Sequence, residues 1–533
     1  MNIDAPLLKE WLLDDEEVAL LDAREEGDFT EKGHILLASN VPLSRLEFLI
    51  ADLVPRRDTR VIWVDAGEGV AARAAERACE LGYSNVHVLA GGTPAWLEAG
   101  NPLYEGIYVP SKAFAEVVEH DAATPYITPE QLADWQQQGK NIAIFDTRTY
   151  DEYHANTIPG AVSMPGAEIV YRVPGVVTDP HTVVVVNCGG RTRSIIGAQS
   201  LINAGFDNKV VSLKDGTMGW HLAGLKVANG STDMAPPPSD ASLPKIRQEA
   251  SRVAHSFGVE TIDVSALHAL RADATNTTYV LDVRSPGEYA RGHFPGSRSA
   301  PGGQLVQETD VHVAVWGAHV VLVDDDGVRA NMTGSWLAQM GWRVSVLTVG
   351  AGELTQSGAV GPVSMVAPSV PVEAYVEVGE LAQMLASGDV TVIDLARSRQ
   401  HRKGHIKGAR FTVRARLEEQ LRNLAGSVVL TSEDGHLAEL GWCDVAATGS
   451  HGVDLRVLRG GTSAWVADGH ALVSGLADPL GPVDDCWYTP RDRDPDKREQ
   501  AMNDYLTWEA NLVHDMAKDD LHRFRGVRSL GRD

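Results

Sequence analysis

Cysteine is scarce in this chain. There are four in 533 residues, Cys79, Cys188, Cys443 and Cys486, and no two form a C-x-x-C pair. A disulfide framework and a structural zinc site are therefore not expected. Long apolar runs are missing too, since none approaches the roughly 20 residues that a membrane-spanning helix needs. The opening Met1-Asn2-Ile3-Asp4 has no basic or apolar leader pattern, so no secretory signal is expected. Positive charge is in deficit, with 47 Lys and Arg against 72 Asp and Glu, a net charge of −25. That excess disfavours nucleic acid and anionic membranes as general partners. The expectation is a cytoplasmic protein in a reducing compartment, with no nucleic-acid or membrane partner, in which a locally positive pocket would stand out.

What the chain does contain is repetition. An apolar strand ending in Asp with a nearby Arg occurs four times: Leu20-Leu21-Asp22-Ala23-Arg24, Ile144-Phe145-Asp146-Thr147-Arg148, Val280-Leu281-Asp282-Val283-Arg284 and Val392-Ile393-Asp394-Leu395-Ala396-Arg397. Each is followed by a second signal, such as Gly33-His34-Ile35, Thr157-Ile158-Pro159-Gly160 or Gly292-His293-Phe294-Pro295-Gly296; in the fourth copy it is Gly404-His405-Ile406. Three copies close on a Gly-rich turn with tryptophan: Gly91-Gly92 to Trp96, Asp215-Gly216 to Trp220, and Gly460-Gly461 to Trp465. The third has only Gly350-Ala351-Gly352. From Arg to Trp is 72 residues in copies one and two and 68 in copy four, and copies start 112–136 residues apart. That spacing is too long for a solenoid and fits four whole domains.

Short β-branched strands alternate with helical patterns in each copy, which implies a parallel sheet covered on both faces. Thr128, Pro129 and Gln131 predict a capped helix start, and Gly205 predicts the end of a helix over 194–204. Ala235-Pro236-Pro237-Pro238-Ser239 marks a linker after copy two, and 366–372 marks another after copy three. Residues 476–533 extend beyond the last copy, with Trp487, Tyr505 and Trp508 to dock on something and a helical stretch near 496–518.

Together the strand Asp and Arg, the Gly-His-Ile type segment, a Cys-x-x-x-x-Arg loop and the Gly-Gly-x-x-x-Trp ending resemble the rhodanese homology domain. The resemblance covers nearly all of residues 1–475. It implies an α/β fold of four tandem rhodanese-like domains, each a mainly parallel sheet with helices on both faces, plus a C-terminal helical tail. The expected limits are 1–104, 122–228, 255–360 and 373–475 for the domains, 229–254 for a linker and 476–533 for the extension. Counting along each copy puts Asp65, Cys188, Asp324 and Ser432 at the sulfur-carrying position. Only residues 122–228 would then be catalytic. Cys79, Cys443 and Cys486 read as ordinary core or surface residues.

The loop Asn187-Cys188-Gly189-Gly190-Arg191-Thr192-Arg193-Ser194 sits between the run Val183–Val186 and a helix. A thiolate is the nucleophile, and cations or a helix N-terminus lower a thiol pKa. Arg191 and Arg193 supply cations, Gly189 and Gly190 let the backbone N–H groups converge on an anion, Thr192 lies within the cradle, and Ser194 can cap the helix and donate to sulfur. Four residues separate Cys188 from Arg193. Rhodanese sulfurtransferases have this loop length, whereas the related phosphatases and arsenate reductases have one residue more.

The resemblance implies a sulfurtransferase moving sulfane sulfur from thiosulfate or a similar small anionic donor to a thiol or cyanide through a Cys188 persulfide. No cofactor and no metal are implied. A persulfide-relay protein with little small-donor turnover is the alternative, and a cysteine phosphatase or arsenate reductase is a weaker one. A homodimer through the C-terminal extension is a further expectation. Asp146 and Arg148 recur where the cysteine is lost, so a supporting ion pair is expected. His34, His293 and His405 occur only in copies without the thiol and read as structural hydrogen-bonders. Asp324-Asp325-Asp326 reads as a solvated acidic turn that would repel an anionic donor.

Overall fold

The computed structural model has four α/β units, successive along the chain, and describes residues 1–358, 364–449, 452–527 and 530. Residue 360, where the third domain is expected to end, and residues 528, 529 and 531–533 of the extension lie outside the described residues. In the second unit the strand Ile142–Asp146 pairs with the edge strand Ala161–Ser163 on one side and the central strand Val183–Asn187 on the other. Val210–Leu213 and then Tyr126–Ile127 follow outward, all parallel. The other three sheets repeat this order around Val18–Asp22, Thr278–Asp282 and Val390–Asp394. The first sheet gains a strand from the third unit, because Val315–Trp316 pairs antiparallel with Val18–Asp22.

The unbroken apolar run Val183–Val186 is explained by burial on both faces. Val184 and Val186 pack with Ala198 and Leu201 on one side, and Val185 packs with Leu132 and Trp220 on the other. A strand covered twice needs no polar alternation. The capping box at Thr128 forms as expected: Gln131 N–H donates to Thr128 Oγ1 at 3.3 Å, and Thr128 N–H donates to Gln131 Oε1 at 2.9 Å. The helix after the cysteine loop runs Thr192–Asn203, two residues earlier than the Ser194 start expected, and Gly205 follows it at φ +72°.

The segments between the sheets are structured. Helix Val109–Asp121 joins the first and second units. The stretch read as a linker carries helix Leu243–Ser256, whose Ile246, Ala250 and Val253 share a core with Val328 and Met332 of the third unit. The extension holds helix Arg498–Met516.

The Gly-rich turn has a packing reason. Gly216, at φ +53°, lies so close to the cysteine loop that a Cβ would stand 2.3 Å from the Cys188 carbonyl oxygen. Gly92 and Gly461 meet Asp65 and Ser432 in the same way, at 2.3 and 2.2 Å. The third copy lacks this contact and has only a short turn at Ala351–Glu353.

Candidate active site

Asp65, Cys188, Asp324 and Ser432 each follow the last residue of the strand that pairs with both the Asp-Arg strand and the next one outward, and all four are buried. Each side chain faces the backbone N–H six residues on. Ala71 N–H donates to Asp65 Oδ2 at 3.0 Å, Ala330 N–H to Asp324 Oδ2 at 2.8 Å, and Ala438 N–H to Ser432 Oγ at 3.2 Å. The Ser194 N–H is directed at Cys188 in the same fashion. The fold therefore builds one acceptor position at the start of each helix and fills it with carboxylate, thiol, carboxylate and hydroxyl. In two of the four units a carboxyl group thus occupies the place that the thiol has in the second.

At Cys188, burial pushes the thiol pKa up, while the Arg193 charge and the Ser194 hydrogen bonds oppose the rise and Glu509 adds to it. The sulfur is 3.4 Å from Ser194 Oγ, which donates in turn to the Arg191 carbonyl at 2.8 Å. Gly189 and Gly190 are not in the left-handed region. Room is what Gly190 provides: a Cβ there would stand 3.0 Å from Met218 Cε and 3.1 Å from Glu509 Oε2.

The two loop arginines differ from each other. Arg193 makes a fork with Glu152, both N–O distances 2.7 Å, and reaches the Gln304 side-chain oxygen of the third unit at 3.0 Å. Arg191 points into a cluster of carboxylates: Glu116 at 2.6 and 2.7 Å, Asp215 at 3.2 Å, and Glu119. From the sequence Arg191 reads as a free cation of the loop. Its charge is instead taken up by three acidic groups, because helix Val109–Asp121 lays Glu116 and Glu119 against the loop. Thr192 donates to Glu509 Oε1 at 2.7 Å.

Asp146 and Arg148 form a buried fork of 2.9 and 2.7 Å, and Asp146 also accepts from Thr157 Oγ1 at 2.6 Å and Asn187 Nδ2 at 3.0 Å. The same pair forms at Asp22–Arg24 and Asp282–Arg284. The fourth copy departs from the expectation. One extra residue carries Arg397 away to Glu26 and the Cys486 sulfur, and Asp394 pairs with His401 Nδ1 at 2.7 Å. His34, His293 and His405 are buried and hydrogen-bond backbone carbonyls through Nδ1. The Asp324–Asp326 turn is not solvated as a whole. Asp324 and Asp326 are buried, with Asp326 Oδ2 2.6 Å from the Arg329 Nε, and only Asp325 is exposed.

A cleft of about 710 Å³ opens over Cys188. Its walls come from the cysteine loop, helix Val109–Asp121 through Lys112, the third unit through Gln307, the fourth through Arg399 and Lys403, and the extension through Trp487, Arg491, Tyr505 and Glu509. The extension's aromatic residues thus dock on the chain's own site, with Trp487, Tyr505 and Trp508 around Lys112. Lys112, Arg491 and Glu509 were not found from the sequence. Lys112, Glu116 and Glu119 do carry a signal, since spacings of four and three put them on one face of a helix. Nothing local in the sequence connects Arg491 or Glu509 to Cys188.

The rhodanese-like domain family matches residues 4–99, 128–223, 263–356 and 377–468. The chain belongs to that family. Among solved structures, it is similar to a thiosulfate sulfurtransferase from Pseudomonas aeruginosa, with 42% identity, 99% of each chain covered and a TM-score of 0.94. A stretch of 105 residues, 20% of this chain, is 31% identical to an HTH-type transcriptional regulator of Mycobacterium tuberculosis, and it spans 45% of that protein. No described helix is long and apolar enough to cross a membrane.

Proposed function

We propose that this chain is a thiosulfate sulfurtransferase acting through a persulfide on Cys188. The observation that carries the reading is that four equivalent loops share one acceptor position and only one of them holds a thiol, with Arg193 beside it. Residues 122–228 form the catalytic domain, and 1–104, 255–360 and 373–475 support it. The similarity to a thiosulfate sulfurtransferase over the whole chain supports the choice of donor.

The chemistry is nucleophilic catalysis in two displacements. The Cys188 thiolate attacks the outer sulfur of thiosulfate, a sulfur–sulfur bond forms to Cys188, and the bond to the inner sulfur breaks with its electron pair leaving on sulfite. The persulfide then passes its terminal sulfur to cyanide as thiocyanate, or to an acceptor thiolate as a new persulfide, which regenerates the Cys188 thiolate. Arg193, Ser194 and the helix N-terminus stabilise negative charge on sulfur throughout. A cleft walled from several parts of the chain suits small molecules better than the surface of a protein partner, which favours turnover on small donors over a protein relay. Cys188→Ser is expected to lower cyanide-dependent thiosulfate cleavage by at least about 10³-fold with the fold intact. Retained cleavage in that variant contradicts the proposal.

A further inference from the structure

Three cations lining the cleft over Cys188, Lys112, Lys403 and Arg491, have no carboxylate within 4.0 Å among the described residues, and two of them, Lys112 and Arg491, are withdrawn from solvent. Arg148, Arg191 and Arg193 are all committed to carboxylates, and Arg399 is 3.1 Å from Asp492. Lys403 is exposed. Lys112 and Arg491 line the same cleft, and among the described residues neither has a carboxylate within 4.0 Å. Lys112 is buried. It donates to the Tyr505 hydroxyl and stands 4.4 Å from the Tyr505 ring centre, 5.1 Å from Trp508 and 5.7 Å from Trp487. Such a cage holds an ammonium in place without cancelling its charge. Arg491 donates to Thr217 Oγ1 at 2.6 Å, and the backbone N–H of Thr217 donates to the Cys188 carbonyl at 2.9 Å. That side chain is therefore tied to the cysteine loop and keeps further N–H groups for a ligand.

We propose that Lys112 and Arg491 hold the anionic end of the sulfur donor over Cys188, so that donor recognition comes from outside the domain that carries the cysteine. This deepens the sulfur-transfer reading and rests on it for the identity of the donor. The sulfonate end of thiosulfate presents three acceptor oxygens, which suits convergent charged donors. Two electrostatic signs agree. Burial lowers the Lys112 pKa to about 8, although Glu509 and Asp310 favour its charge. Burial, with Arg148 beside it, lowers Arg491 to about 10, although Asp146 and Glu152 oppose the shift. Both cations are costly to bury, and a bound anion favours their charged forms.

The test compares two alkylating reagents on the full chain, anionic iodoacetate and neutral iodoacetamide, with modification of Cys188 followed by peptide mass. The ratio of their rates reports local positive charge and cancels changes in thiolate fraction. Lys112→Gln and Arg491→Gln are each expected to lower that ratio by about tenfold, the worth of one charged contact. The KM for thiosulfate rises by a similar factor, and Lys112→Arg restores most of the ratio. Arg491 lies in a short turn of the extension, so its variant keeps the test alive if Lys112→Gln does not fold. A ratio unchanged in the folded variants overturns the proposal, even where the wild type turns over thiosulfate. A lowered ratio in a protein that transfers no sulfur upholds the anion cradle and sinks only the choice of reaction.

Discussion

The second and third units carry the same arginine in the same place and use it oppositely. Arg193 and Arg329 each lie in the first turn of the helix after the loop, each forks to a glutamate of its own unit (Glu152 or Glu288), and each reaches across the same interface. What each meets there differs. Arg193 meets the neutral amide oxygen of Gln304, while Arg329 meets the carboxylate of Glu168, 2.8 Å away, and also Asp325 and Asp326. One carboxylate against one guanidinium leaves Arg193 a field that reaches Cys188. Four carboxylates surround Arg329, and its charge opposes but does not offset the rise of the Asp324 carboxyl at the cysteine position, which burial and Asp326 push well up. The unit with the thiol thus keeps one carboxylate on its loop arginine, while the unit without it keeps four, and the third unit's loop N–H groups are taken up by its own Asp324 and Asp326.

The largest expected effects within this comparison are the loss of turnover in Cys188→Ser and the loss of anion preference in the Lys112 and Arg491 variants, given above. A sharper test makes the second unit resemble the third. Gln304→Glu places on Arg193 the carboxylate that Glu168 places on Arg329. The groups that set the Cys188 titration are Arg193, Ser194 and Glu509, with Lys112 sharing the cleft. Burial raises that thiol, so the thiolate fraction, and with it alkylation by neutral iodoacetamide, increases with pH through a midpoint above the ordinary thiol range. In Gln304→Glu the midpoint lies higher still, and alkylation at fixed neutral pH slows by up to about tenfold. An unmoved pH profile breaks the comparison, because it means the surplus charge on Arg193 does not reach the sulfur.

The smallest effect is expected in the fourth unit. Ser432→Ala removes the acceptor of the Ala438 N–H at a helix start. It should lower stability by about 1 kcal/mol, read as a shift in the denaturant midpoint, with transfer of sulfur unchanged. A loss of activity in this variant would mean that the thiol-free units do more than support the fold.

Much of the fold was legible because it is written four times. The Asp-Arg strand ends, the Val183–Val186 run and the Gly216 turn are local patterns, and each has a local cause: a buried fork, a strand covered on both faces, a backbone approach that admits no side chain. The cysteine loop was legible for the same reason, since three sister loops calibrate it. The charges around it were not. Arg191 looks free in sequence and is neutralised by Glu116 and Glu119, which lie 75 and 72 residues before it. Arg491 and Glu509 reach the loop from the extension, about 300 residues further on. Charge state at a site depends on which side chains tertiary packing brings within a few ångströms, and no periodicity records that. The extension, for which a homodimer was one expectation, lays its aromatic residues around Lys112 of the same chain.

The central claim is that Cys188 alone among the four loops and four cysteines carries sulfur. Incubating the chain with thiosulfate, removing excess donor and mapping peptide masses tests it directly. The expected result is a gain of one sulfur atom on the peptide containing Cys188, reversed by cyanide, with none on Cys79, Cys443 or Cys486. Sulfur found on another cysteine, or an unmodified Cys188 in a chain that still converts thiosulfate, would contradict it.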